Sequence, residues 1–124
     1  MTSEYLYSDL TKIILRAYYN TYNKLGYGFL ESVYQNAMML ELKKQGLHCE
    51  KETAINVYYD NQIVGSFFAD IIVENKVILE LKAVSILIPK YEVQLVNYLK
   101  GTGLKVGLLL NFGHEPDARR KVWL

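Results

Sequence analysis

The sequence predicts an α/β (α+β) fold, a mixed β-sheet flanked by helices on both faces, in the order α-α-β-β-β-α-β. Three observations predict it. Two early segments carry apolar residues at helical spacing and stop at glycines. Three β-rich runs then follow one another across short polar turns. Finally, a segment that starts at Pro89 with helical spacing leads into the apolar run LKVGLLLN, the pattern of a crossover to a buried strand.

In the first helix Ser8 or Asp9 is the expected cap. Leu10, Ile13, Ile14, Ala17 and Tyr18 then recur on one face, and Gly26 ends it. A second helix is expected over about 30–45, with Leu30, Val33, Tyr34, Ala37 and Met38 on one face and Gly46 at its end. Residues 48–59 contain the β-rich run Ile55-Asn56-Val57-Tyr58-Tyr59, and Asp60-Asn61 is a turn signal. Further strands are expected at 63–73 and 77–84, joined by Glu74-Asn75-Lys76. Pro89 suits the first turn of a helix over 89–100 and Gly101 its C-cap. Residues 104–111 read as a buried strand, and 122–124 as a last short one after the 114–117 loop.

The 124 residues suit a single domain, 1–124. Hydrophobic residues make up 51% and charged residues 22%, which excludes a disordered chain. A net charge of +1 does not advertise a nucleic-acid binder. The one cysteine, Cys49, excludes an internal disulfide and a cysteine-built zinc site. No leader pattern stands at Met1–Tyr5, and no apolar stretch approaches the about 18 residues of a membrane span. The expectation is a cytoplasmic protein without a membrane partner.

The chemistry lies where charges interrupt apolar strands. Val77-Ile78-Leu79-Glu80-Leu81-Lys82 places a carboxylate and an ammonium two residues apart, hence on the same face of a strand. Asp70 interrupts Phe67-Phe68-Ala69-Asp70-Ile71-Ile72-Val73 in the same way. Buried charges must be paired, hydrogen-bonded or metal-bound. The hairpin register decides between site and no site. A three-residue loop at 74–76 pairs Val73 with Val77 and sets Asp70 opposite Glu80, with Cβ atoms roughly 4.5–5.5 Å apart. A two-residue loop turns Asp70 away. The three-residue loop is expected, because a shared divalent cation gives two repelling carboxylates a reason to coexist. Asp70, Glu80 and the carbonyl of Leu81 would offer hard oxygen ligands to Mg2+ or Mn2+, and Lys82 would handle the attacking water or the developing charge. On spacing alone, a structural salt-bridge cluster or a solvent-facing group explains the same residues.

Asp70, nine intervening residues, then Glu80-Leu81-Lys82 resembles the motif of the PD-(D/E)XK nucleases. Gly28-Phe29-Leu30-Glu31-Ser32-Val33-Tyr34 resembles the signature of the GxxExxY family within that superfamily. Gln94-Leu95-Val96-Asn97-Tyr98 is similar to the helix motif of its exonuclease-like branch. The resemblance covers roughly residues 8–113 and implies a restriction-endonuclease-like core. It implies Asp70 and Glu80 as metal ligands, Lys82 as the catalytic lysine and Glu31 as a helix-borne acid completing the metal shell, directly or through water. Gln94 and Tyr98 would stand behind these or face the phosphate. Two positions depart from the pattern: Phe68 stands where relatives carry a basic residue, and Tyr91 where they carry a histidine.

The expected function is therefore a metal-dependent phosphodiester hydrolase, a DNA nuclease, with a homodimer or a partner protein supplying the rest of the DNA groove. The competing expectations are a nuclease-fold nucleic-acid-binding or regulatory protein with little or no catalysis, and a hydrolase of another phosphate ester. The 11 tyrosines serve packing or base stacking, and the basic run Arg119-Arg120-Lys121 is a solvated terminal face or a backbone contact.

Overall fold

Eight elements run along the chain in the computed structural model, which describes residues 6–124. Helices α1 (Ser8–Leu25) and α2 (Glu31–Lys44) precede strands β1 (Cys49–Tyr59), β2 (Gln62–Val73) and β3 (Val77–Lys82). Helix α3 (Pro89–Thr102) then crosses to β4 (Val106–Phe112), and β5 (Pro116–Val122) comes last. Met1–Tyr5, read above for a leader, lies outside the described residues.

The five strands form one sheet in the order β1-β2-β3-β4-β5. Only β3 and β4 run parallel, and α3 is the crossover that a parallel pair needs. Helices α1 and α2 cover one face, where Ile14, Tyr18, Tyr34 and Met38 pack on Leu79, Leu81, Leu108 and Phe112. Helix α3 covers the other, through Leu95 and Leu99 against Ile78 and Leu109. Strands β3 and β4 are thus buried on both sides, which is why their sequences are continuous apolar runs. Each such Leu or Ile contributes about 1.5–3 kcal/mol by leaving water. Gly107 permits the close seat of α3: a Cβ there would meet Leu95 Cδ1 at 2.7 Å.

Several boundaries differ from the sequence reading: β3 ends at Lys82 and not at 84, β4 starts at Val106 and not at 104, and three further differences bear on the fold. Neither Ser8 nor Asp9 caps α1; Tyr7 occupies the N-cap in a left-handed conformation, φ 56°, without a side-chain bond, and Ser8 is already helical. Helix α3 continues through Gly101 and ends at Gly103, φ 75°, whose N–H donates to Leu99 O. Gly101 is instead small because Ile55 approaches it. Strand β5 occupies Pro116–Val122, not 122–124, and Trp123 and Leu124 follow it. Its charges hid it. Arg119 pairs with Glu92 and Asp117, Lys121 pairs with Glu92, and Arg120 donates to Leu6 O at 2.6 Å. The basic run thus ties β5 to α3 and to the start of α1 instead of forming a solvated face.

The decisive register is the three-residue one. Val73 pairs with Val77, Ile72 with Ile78 and Ile71 with Leu79, and Glu74 and Asn75 both take φ 53° in the turn. The β2–β3 ladder stops there, one pair short of Asp70 and Glu80. On the other side of β2, Glu52 lies between the pairs Lys51–Ile71 and Thr53–Ala69, and it too has φ 53°. Pairing therefore fails on both flanks of Asp70, and the sheet opens at that residue.

Candidate active site

Where the ladder stops, side chains replace it. The Asp70 N–H donates to Glu80 Oε1 at 3.2 Å, and the Leu81 N–H donates to Asp70 Oδ2 at 2.7 Å. Each carboxyl group is thereby held against the opposite strand. Gln35, on α2, fixes the Asp70 backbone from above: its Nε2 donates to Asp70 O at 2.9 Å.

These acids hold protons more tightly than free ones. Burial, and then the Asp70 charge, pushes Glu80 from the ordinary 4.5 up to about 9. Glu80 is only 6% exposed. Burial raises Asp70 as well, against the pull of the Leu81 N–H and Lys82.

Glu31 opens α2, and its carboxyl lines a hollow of about 210 Å3 together with Ser32, Gln35, Glu52, Asp70 and Leu81. Burial raises its pKa, the Lys82 charge lowers it, and the Asp70 charge raises it, so all three groups share one field. The loop before Glu31 is shaped by Tyr34. The Tyr34 hydroxyl donates to Gly26 O at 2.7 Å and accepts the Phe29 N–H at 3.2 Å. Gly28, between them, takes φ 110°, which a side chain rarely tolerates. The spacing of Gly28, Glu31 and Tyr34 thus describes one device: a tyrosine strapping the turn that presents the acid.

Lys82 ends β3, and its Nζ lies 4.6 Å from the centroid of the Tyr91 ring. Tyr91, at the position read as departing from the family pattern, cradles the ammonium by a cation–π contact. The other departure, Phe68, is largely exposed.

Of the α3 residues, Tyr98 is buried among Ile55, Ala69 and Ile72, and its hydroxyl is raised by burial and then by the charges of Glu80 and Asp70. It lies on the α3 face of the sheet, the face to which the alternation of β3 also turns Glu80. Gln94 is half-buried one turn earlier, and its side chain makes no hydrogen bond or ion pair with the described residues.

Two residues escaped the sequence reading. Glu52 was hidden in the alternating charges at the start of β1, and only its left-handed backbone shows why it lines the hollow. Asn111 closes the LKVGLLLN run and is buried. Its Oδ1 accepts the Val84 N–H at 3.1 Å and its Nδ2 donates to Val84 O at 2.8 Å, pinning the chain just beyond Lys82. A polar residue ending an apolar strand was the available signal.

The arrangement of two crossed carboxyls, a third acid and a cradled lysine at the end of a parallel strand pair can now be set beside known proteins. The sequence model of the PD-(D/E)XK nuclease superfamily matches residues 8–122. The chain belongs to the PD-(D/E)XK nuclease superfamily. No curated protein matches it. Among solved structures it is similar to the one titled "Crystal structure of SSO0001", with a TM-score of 0.59 and 14% identity over 73% of this chain. That likeness concerns the fold, and the chain spans 48% of that structure's length.

PD-(D/E)XK nucleases typically use divalent metal ions. The donor chemistry fits a hard cation: two carboxyls forced together and desolvated, each raised in pKa, are what a shared positive charge relieves. Among the described residues no three acids, histidines or cysteines stand grouped closely enough to hold a metal. Asp70 and Glu80 stand together as a pair, and Glu31 lines the same hollow as Asp70. No described helix is long and apolar enough to cross a membrane.

Proposed function

We propose that this PD-(D/E)XK domain is a Mg2+- or Mn2+-dependent nuclease of the GxxExxY kind that hydrolyses phosphodiester bonds in DNA. The observation that carries the reading is the crossed pair Asp70/Glu80 at the point where the sheet opens, with Lys82 beside it.

Asp70 and Glu80 would hold the ion, with the Leu81 carbonyl and, through water, Glu31 adding oxygen donors. When bound, the ion supplies Lewis-acid polarisation of the phosphoryl oxygen. Lys82 orients the attacking water and stabilises the charge that develops on the phosphate, held in place by Tyr91. Gln35 fixes the Asp70 backbone, and Asn111 the chain after Lys82, so neither moves during the reaction. Tyr98 and Gln94 back the site from α3. The remainder of a DNA groove comes from a second copy or a partner protein.

The test is cleavage of supercoiled, linear and single-stranded DNA with Mg2+ or Mn2+. Loss of cleavage in Lys82→Ala, by a factor of about 10²–10⁴, and in Asp70→Asn supports the enzyme. DNA binding without cleavage, indifferent to Lys82→Ala, would replace it with a binding module.

A further inference from the structure

After Lys82 the chain leaves the sheet through Ala83, Val84 and Ser85, and this turn walls a second hollow, distinct from the one that Asp70 lines. Tyr27, Gly28 and Phe29 form the facing wall, the 112–114 turn borders it, and the open hollow between them holds about 180 Å3. Both walls are direct extensions of the catalytic centre: Phe29 lies two residues before Glu31, and Ala83 directly follows Lys82.

Three properties set this hollow apart. Its rings are open: Tyr27 is 57% and Phe29 46% exposed, although both are large and apolar. It contains no acid, whereas the neighbouring hollows carry Glu31, Glu52 and Asp70 on one side and Glu115 and Asp117 on the other. Its walls are fixed. Tyr34 straps Gly26 to Phe29, Asn111 holds Val84 by two bonds, and the Tyr22 hydroxyl lies 2.7 Å from both Gly113 O and His114 O. The His114 ring supports Tyr27 at a centroid distance of 4.3 Å. A rigid aromatic shelf loses little entropy on binding a flat partner.

We propose that this hollow receives a nucleobase of single-stranded DNA, the base neighbouring the phosphodiester held at Asp70 and Glu80, stacked on Tyr27 and Phe29. The proposal rests on the nuclease reading for the position of that phosphate and extends it to the substrate class. A base can offer its face to a protein ring only when unstacked from its own neighbours, so the substrate is a single strand or a frayed end. Every base has such a face, so the hollow tolerates any sequence.

The experiment uses the full chain carrying Lys82→Ala, so that binding is read without cleavage. Fluorescence anisotropy compares a dye-labelled oligothymidylate, an abasic strand of the same length and a blunt duplex. The strand with bases should bind about tenfold more tightly than the abasic strand, and Tyr27→Ala with Phe29→Ala should remove most of that difference. Circular dichroism confirms that the variant is folded, and Tyr27→Phe should bind like its parent. Equal binding of base-bearing and abasic strands, tighter binding of the blunt duplex, or no binding to any strand overturns the shelf. Cleavage by the wild-type chain with Mn2+ separates the two readings. Base-dependent binding without cleavage of any DNA sinks the nuclease alone; cleavage equally fast on abasic and base-bearing strands sinks the shelf alone.

Discussion

Asp70 and Glu80 hold each other's strands: the Asp70 N–H binds the Glu80 carboxyl, and the Asp70 carboxylate binds the N–H of Leu81, the residue after Glu80. The crossing replaces the backbone ladder that stops one pair earlier. It also forces two acids into one desolvated spot, and the first prediction follows from that.

Glu80 titrates near 9 in the folded chain instead of 4.5. Between these values the folded form keeps a proton that the unfolded form has lost. Stability therefore falls as pH rises through this window, and Glu80 adds nothing unfavourable below it. Asp70 and Glu31, also raised, act with the same sign. In chelator-containing buffer the melting temperature should drop from about pH 5 to about pH 9, and Glu80→Gln should flatten that drop. A slope unchanged in Glu80→Gln would contradict the assignment.

A cation must displace the Glu80 proton, so Mn2+ affinity should rise with pH toward about 9 and binding should release protons. Calorimetric titration in two buffers of different ionisation enthalpy measures the release. Asp70→Asn should abolish the heat of binding. Binding with no proton release would mean that the ion sits elsewhere.

The Tyr91 ring holds the Lys82 ammonium at 4.6 Å, a contact of about 0.5–1 kcal/mol. Tyr91→Leu should lower kcat about two- to fivefold while leaving KM for DNA nearly unchanged. Tyr91→Phe, which keeps the ring face, should behave as wild type. An equal loss in both variants would point to the hydroxyl instead.

Tyr34→Phe removes the hydroxyl that joins Gly26 to Phe29. Urea denaturation should show a loss of about 1–2 kcal/mol, and cleavage should weaken because Glu31 is no longer presented from a fixed turn. Full activity with lowered stability would separate the strap from the acid.

Asn111→Leu leaves the Val84 N–H and C=O without their partner, at a cost of about 2–3 kcal/mol. A residual activity that falls more than tenfold, with Mn2+ binding retained, would mark the loss as displacement of the segment carrying Lys82.

The element order and the closeness of Asp70 to Glu80 were legible because both depend on local patterns. Period-two alternation and a three-residue turn fix which residues oppose one another, and Asp70 and Glu80 follow from that count. Glu52 and β5 were not legible. Glu52 contributes through a left-handed backbone, which no side-chain pattern announces. Residues 119–121 read as a solvated face because Glu92, which pairs with Arg119 and Lys121, is distant in sequence. The cap of α1 failed for a similar reason: Ser8 and Asp9 are suitable caps, but Tyr7 takes the position with its backbone alone.

Helix α1 contributes no group to the chemistry, yet the far end of the centre hangs from it. The Tyr18 hydroxyl donates to Asn111 O and accepts the Asp117 N–H, and Tyr22 reaches the Gly113–His114 turn. A chain trimmed of its first helix would retain every acid and the lysine while its cleft walls came adrift. Inactivating substitutions found in α1 would then report lost suspension, and a search for reactive groups there would be misdirected.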